Sequence, residues 1–231
     1  MEIIMSKRIV RRGICMMVAA IALGSLAAGS AAAEELPTLP YWWSAGSFPI
    51  SISFTSGKAL IETSTGVTEC PWGVSGTGSI TGFKKGHAVL TFQQCKCTSE
   101  GQVAGTIKTS ELEVTPVYYS KANKLVALYL KPPVGTTFAK FSCGGLVGQA
   151  EMRGALLVEF RPINEMRTTF EGLVLEGTKG TIFPGSYENE KGELVKITFE
   201  SNIFNGGTKF EAADIKAQLT MNVGGSVELR A

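Results

Sequence analysis

Histidine and aspartate are almost missing from this chain: His87 and Asp214 are the single representatives of each. A Ser-His-Asp triad would have to use both, from distant positions, and no G-x-S-x-G elbow accompanies them. His87 follows Lys84-Lys85-Gly86 and reads as an exposed turn residue. Zinc is poorly served by one histidine and one C-x-C pair, and calcium usually calls on several aspartates. The run Gly73-Val-Ser-Gly76-Thr-Gly78 lacks the Gly-Lys-Ser/Thr ending of a phosphate loop, and no helix is expected after it; it reads as a glycine-rich loop or edge strand. No catalytic residue, cofactor or metal is therefore assigned.

Long apolar runs are missing too, with one exception. Lys7, Arg8, Arg11 and Arg12 precede the apolar stretch Ile14–Leu26, and Ser30-Ala31-Ala32-Ala33 follows it. This is the layout of a secretory signal peptide, with cleavage expected after Ala33; Met5 is an equally good start. The run falls short of the roughly 20 residues of a membrane span, so an uncleaved signal anchor is the alternative. Cys15 lies inside the run, badly placed for lipid attachment. The expected organisation is a leader over 1–33, an extended Pro/Trp-rich lead-in over 34–49, and one β domain over 50–231. The expected location is secreted or in the cell envelope.

An excess of charge of either sign is also lacking. The whole chain holds 22 Lys/Arg and 20 Asp/Glu; without the leader's four basic residues and Glu2, 18 and 19 remain. No basic patch is left to attract nucleic acid.

What the chain does have is cysteine in an even number and many short strand patterns. Cys70, Cys95, Cys97 and Cys143 remain after cleavage, which in an exported chain reads as a disulfide framework. Cys95 and Cys97 would stand about 7 Å apart on one side of an extended chain, outside comfortable bridging range. Each then needs a distant partner, and Cys70–Cys95 with Cys97–Cys143 joins neighbours in chain order.

The stretch Thr106–Gly145 reads as a meander of three strands. Ile107–Tyr119 is interrupted at Pro116, Leu125–Leu130 is apolar throughout, and Phe138–Cys143 returns after the Pro132–Gly135 turn. Ile50, Ile52 and Phe54 alternate with serines, as in a half-buried strand. Further strands are expected over Ala59–Thr63, Gly66–Cys70, Ala88–Gln94, Ala155–Phe160, Met166–Leu175, Val195–Phe199, Ile215–Met221 and Val227–Leu229. The best place for a helical turn is Phe210–Lys216. The fold class is all-β: a single antiparallel β-sandwich or flattened β-barrel of about ten strands with two disulfides.

Several pieces in fixed order carry a family resemblance. They include Ser47–Thr55, Val67-Thr-Glu-Cys70, Gly76–Gly82, Leu90–Cys95, Leu125–Pro132, Phe138–Phe141 with Cys143-Gly-Gly145, Pro162-Ile-Asn164 and Val227-Glu-Leu229. In these the chain resembles a family of small exported all-β proteins expanded as paralogues in soil actinobacteria. The resemblance implies export and a shared β-fold, and no activity. Ser120-Lys-Ala-Asn123 departs from the family's basic/glycine turn.

Two features are candidates for function. Glu111 and Glu113, two apart on a strand, share a face, but a glycosidase needs its carboxyls opposed across a cleft. Tyr41, Trp42, Trp43 and Trp72 could form a stacking platform for sugar rings or a partner protein, with Trp42 and Trp43 partly exposed; otherwise they cap one barrel end. The expected function is non-catalytic binding or a structural role outside the membrane, toward a cell-wall glycan or a surface protein. A glutamate-dependent glycan hydrolase and a carrier of a small apolar ligand are the alternatives.

Overall fold

The computed structural model of the protein describes residues 38, 40–96, 103–143, 148–174, 185–204 and 208–231. Among the described residues there are eighteen strands and no helix. The first half holds β1 (Tyr41–Ser44), β2 (Ile50–Ser56), β3 (Ala59–Thr63), β4 (Val67–Cys70), β5 (Val74–Gly82), β6 (Lys85–Lys96), β7 (Val103–Lys108), β8 (Leu112–Ser120) and β9 (Leu125–Lys131). The second half holds β10 (Thr137–Cys143), β11 (Gly148–Gly154), β12 (Leu156–Arg161), β13 (Met166–Val174), β14 (Ser186–Glu188) and β15 (Leu194–Lys196). It ends with β16 (Phe199–Ser201), β17 (Glu211–Lys216) and β18 (Gln218–Arg230).

Antiparallel pairing closes eight strands into a barrel, in the order β2–β5–β6–β8–β9–β12–β13–β18 and back to β2. Shorter strands repeat that neighbour order beyond one end. They run β3–β4–β6–β7 and β10–β11–β16–β17–β3, with the bridge Thr109↔Ala139 joining the two series. The chain thus winds up and down around one wall, and most staves are a strand bent once into two. Of the two architectures expected, the barrel is the one formed. Closure leaves the barrel without the unpaired edge that an open sheet exposes.

Period-two patterning decides which side chains enter. Ile50, Ile52 and Phe54 of β2 and Leu219, Met221 and Val223 of β18 point inward and are buried. Eight strands enclose just enough room for side chains to fill, and here Phe54, Phe92, Phe160 and Phe170 with Ile80, Leu112 and Leu128 fill it. Cys70 and Cys95, both fully buried, form a disulfide from β4 to β6. Its other expected counterpart, Cys97–Cys143, involves Cys97, which lies outside the described residues, as does the leader over 1–33.

Four expectations about local structure are corrected. Residues 211–216 form β17, paired with β3, instead of a helical turn. The long strand breaks at Thr109–Glu111, between β7 and β8, instead of at Pro116. Pro116 sits inside β8 opposite Leu128; on its other side β6 stops at Val114 and β14 begins at Tyr118, so β8 is paired on one side only at the proline. The glycine-rich run at 74–82 is an interior strand held between β2 and β6. A Cβ on Gly78 would come within 2.0 Å of the His87 carbonyl oxygen, so glycine here permits close backbone approach. Finally, Tyr41–Ser44 of the lead-in is a strand, β1, paired with the end of β18.

Candidate functional site

The four aromatics proposed as a platform do not assemble. Trp42 is fully buried, edge-on to Phe170 at 5.9 Å, so it is core and the expected exposed pair reduces to Trp43. Tyr41 is buried as well. Trp43 is half-buried, and the Arg230 guanidinium lies 4.4 Å over its ring, occupying a stacking face. Trp72 is 69% exposed in the turn between β4 and β5. Trp43 stands opposite Glu228, whereas Trp72 adjoins Gly73, whose backbone abuts Gly57, next to the partner of Leu219. Nine positions along β18 separate those levels, roughly 30 Å of sheet.

His87 and Asp214 are likewise apart. His87 is half-buried in β6, with Nε2 3.4 Å from Ser79 Oγ, not in an exposed turn. Asp214 is buried on β17, opposite Glu62, among the strands that extend the barrel.

The structure instead points to the outer wall of β8, β9 and β12. Their inward residues belong to the barrel core, and their outward residues Val117, Ala127 and Leu157 are buried too. A second, smaller apolar cluster covers them, with Ile197 and the partly buried Tyr119, Tyr129 and Tyr187. Residues 185–198 supply that cover. The hairpin β14–β15 turns at Asn189, whose Oδ1 accepts from the backbone N–H groups of Lys191 and Glu193 at 3.0 and 2.9 Å. Gly192 takes the positive φ (79°) that the turn requires.

Beside this cover, where β8 lacks a ladder partner around Pro116, a cleft of about 670 Å³ opens. Tyr129 and Tyr187 line it, their ring centroids 4.8 Å apart. Four of its charges form ion pairs, Glu113 with Lys131 at 3.0 Å and Glu190 with Lys84 at 2.5 Å, while Glu188 accepts the Lys121 backbone N–H at 2.9 Å. The Lys84 ammonium holds the Glu190 carboxyl below its ordinary range. Burial raises the Tyr129 hydroxyl, with Tyr187 and Glu113 adding to it, so that hydroxyl stays a proton donor. A smaller cleft of about 260 Å³ lies between Pro132–Pro133 and Lys196–Thr198 and shares Tyr129 and Lys131 with the first.

Glu113 is thus at the site, as a paired carboxylate. Sequence reasoning does not mark Tyr129, Tyr187 or Lys84, and it reads Glu190, with Glu188 and Glu193 around Lys191-Gly192, as turn composition. For Tyr129 and its wall the signal is the absence of alternation in Leu125–Leu130 and Ala155–Phe160, which marks strands buried on both faces; Lys84, Tyr187 and Glu190 lie outside those runs and carry no such signal. Among the described residues no group of His, Cys, Asp and Glu could hold a metal ion, and no helix is long and apolar enough to cross a membrane. Comparison with protein-family models, with curated proteins and with solved structures finds no match.

Proposed function

We propose that this protein is an exported, disulfide-tied β-barrel that binds a ligand at the cell surface or in the medium without transforming it. The observation that carries the reading is the overlaid outer wall, open beside its cover as a cleft with two tyrosine rings and ion-paired sides. The packed phenylalanines of the interior favour this outer site over carriage of an apolar ligand within the barrel. The carboxylates favour binding over hydrolysis. A glycosidase's general acid needs a raised pKa, whereas Glu190 is lowered and Glu113 is engaged by Lys131. Export is supported by the Cys70–Cys95 disulfide, which suits an oxidising compartment, and by the basic-apolar-small pattern of the N-terminus.

The test is co-sedimentation of the full chain, in the processed form the host yields, with host cell-wall material. Thr115→Trp, which fills the cleft, should cut retention about tenfold, equivalent to losing about 1.4 kcal/mol; Trp72→Ala should leave it unchanged. The retained protein should begin at Glu34. Loss of retention with Trp72→Ala alone, or steady release of new reducing sugar ends, would overturn the reading.

A further inference from the structure

We infer that the two outer-wall clefts are subsites of one groove that takes an uncharged linear oligosaccharide; this rests on the reading of that wall as the binding face.

Continuity is the first reason. Tyr129 and Lys131 line both clefts, so a molecule lying on them enters both. From Val126, the cross-strand partner of Tyr118 at the large cleft, to Lys131, β9 covers roughly 17 Å. Pro132 and Pro133 then continue the floor into the small cleft. That length exceeds one sugar ring and suits a chain of them.

Charge is the second reason. Three lysines (84, 121 and 131) and three glutamates (113, 188 and 190) line the large cleft, so it presents no net charge to select an ion. Paired ions of both signs do offer donors and acceptors side by side, which is what a hydroxyl needs, since it both gives and accepts a hydrogen bond. An anionic chain would gain from the lysines what it lost to the glutamates.

The third reason is the pair of rings. Tyr129 and Tyr187 combine an apolar face for the C–H side of a sugar with a hydroxyl for its polar edge. The exposed Thr136 forms part of the small cleft and gives a position at which that half can be blocked without touching the core.

The experiment is an amide-resolved NMR titration of the full chain with β-1,4-linked glucose and N-acetylglucosamine oligomers, from monomer to hexamer. Oligogalacturonate and an uncharged Ser/Thr/Gly peptide serve as competitors. Kd should fall roughly tenfold from disaccharide to tetrasaccharide as the second subsite fills, with shifts at Tyr129, Tyr187 and Lys196. Thr136→Trp should cancel that gain and leave the disaccharide affinity as it was. Neutral oligomers that bind without a length effect, or shift only the large cleft, would overturn the single groove. Oligogalacturonate or peptide shifting these residues while neutral sugars do not would overturn the ligand class but keep the wall as the binding face. If no probe moves any residue of either cleft while cell-wall retention is lost in Thr115→Trp, the oligosaccharide assignment fails and the binding face stands. If both readouts are silent, both readings fail.

Discussion

The two walls of this barrel differ in what their outward residues are. On β2 and β5 the outward positions are Ser51, Ser53, Thr55, Ser75, Thr77 and Ser79, none of them buried. On β8, β9 and β12 they include Val117, Ala127 and Leu157, all buried under residues 185–198, and, at the cleft beside that cover, the less buried Glu113, Thr115, Tyr129 and Lys131. Both walls use antiparallel ladders and face the same core. A barrel stave needs only one apolar face to hold its core, so a second apolar face has to be explained by something lying on it. The bare wall is the reverse of a lipid-facing barrel wall, which carries its apolar band outward. The covered wall is where the chain invests a further segment, and the clefts open at that segment's margins.

The strongest way to probe the difference is to remove the cross-link at the β4–β6 end. Cys70 and Cys95 are 25 residues apart, and opening such a loop should cost about 3–4 kcal/mol in the chain-entropy view. Urea unfolding of Cys70→Ala/Cys95→Ala should show that loss, with the ring shifts of Tyr129 and Tyr187 unchanged in the folded state. Movement of those rings would mean that the covered wall depends on the cross-link. Peptide mapping of the unreduced protein should also recover Cys97 joined to Cys143; a free Cys97 thiol would remove the second bridge from the description.

A direct contrast comes next. Leu157→Ala deletes a buried side chain of the covered wall and should cost about 2–3 kcal/mol. Thr77→Ala, at an exposed position of the bare wall, should stay within about 0.5 kcal/mol. Equal effects would show that residues 185–198 add little to the fold, and the distinction between the walls would collapse.

The smallest effect is a matter of pH. On the covered wall the Tyr119 hydroxyl donates to Glu159 Oε2 at 2.7 Å, and burial first, then Glu159, pushes its pKa up to about 12. An unfolded tyrosine ionises near 10. The contribution of this group is therefore whole below about pH 10 and is lost as pH rises toward about 12. Tyr119→Phe should flatten that part of the alkaline loss of stability, and Thr77→Ala should leave it. An unchanged slope in Tyr119→Phe would place the titration elsewhere.

Much of the architecture was legible because it follows from local rules. Alternation in Ile50–Phe54, the polar turn at Lys121–Lys124 and the Pro132–Gly135 turn specify strands and reversals through neighbours a few residues away. The two-residue spacing of Cys95 and Cys97 argues against a bridge between them, and a preference for neighbours in chain order then points to Cys70–Cys95, the pair that forms. Local rules misled where a neighbour in space overruled them. Glycine at Gly78 looked like a loop because its reason, the His87 backbone, lies on another strand. Pro116 looked like a break because the gap in its ladder is made by the ends of β6 and β14.

The candidate site belongs to this second category. Trp42 and Trp72 have the same side chain, and composition could not say that one meets Phe170 in the core and the other stands in water. Tyr129 on β9 and Tyr187 on β14 are separated by the four strands β10 to β13 and their connections, so no spacing joins them. What the amino-acid order determined by itself was the class of fold, through periodicity and turn chemistry. Closure of the ring and the folding of 185–198 over one wall were decided only in three dimensions, because both depend on which faces meet after the chain has turned back on itself.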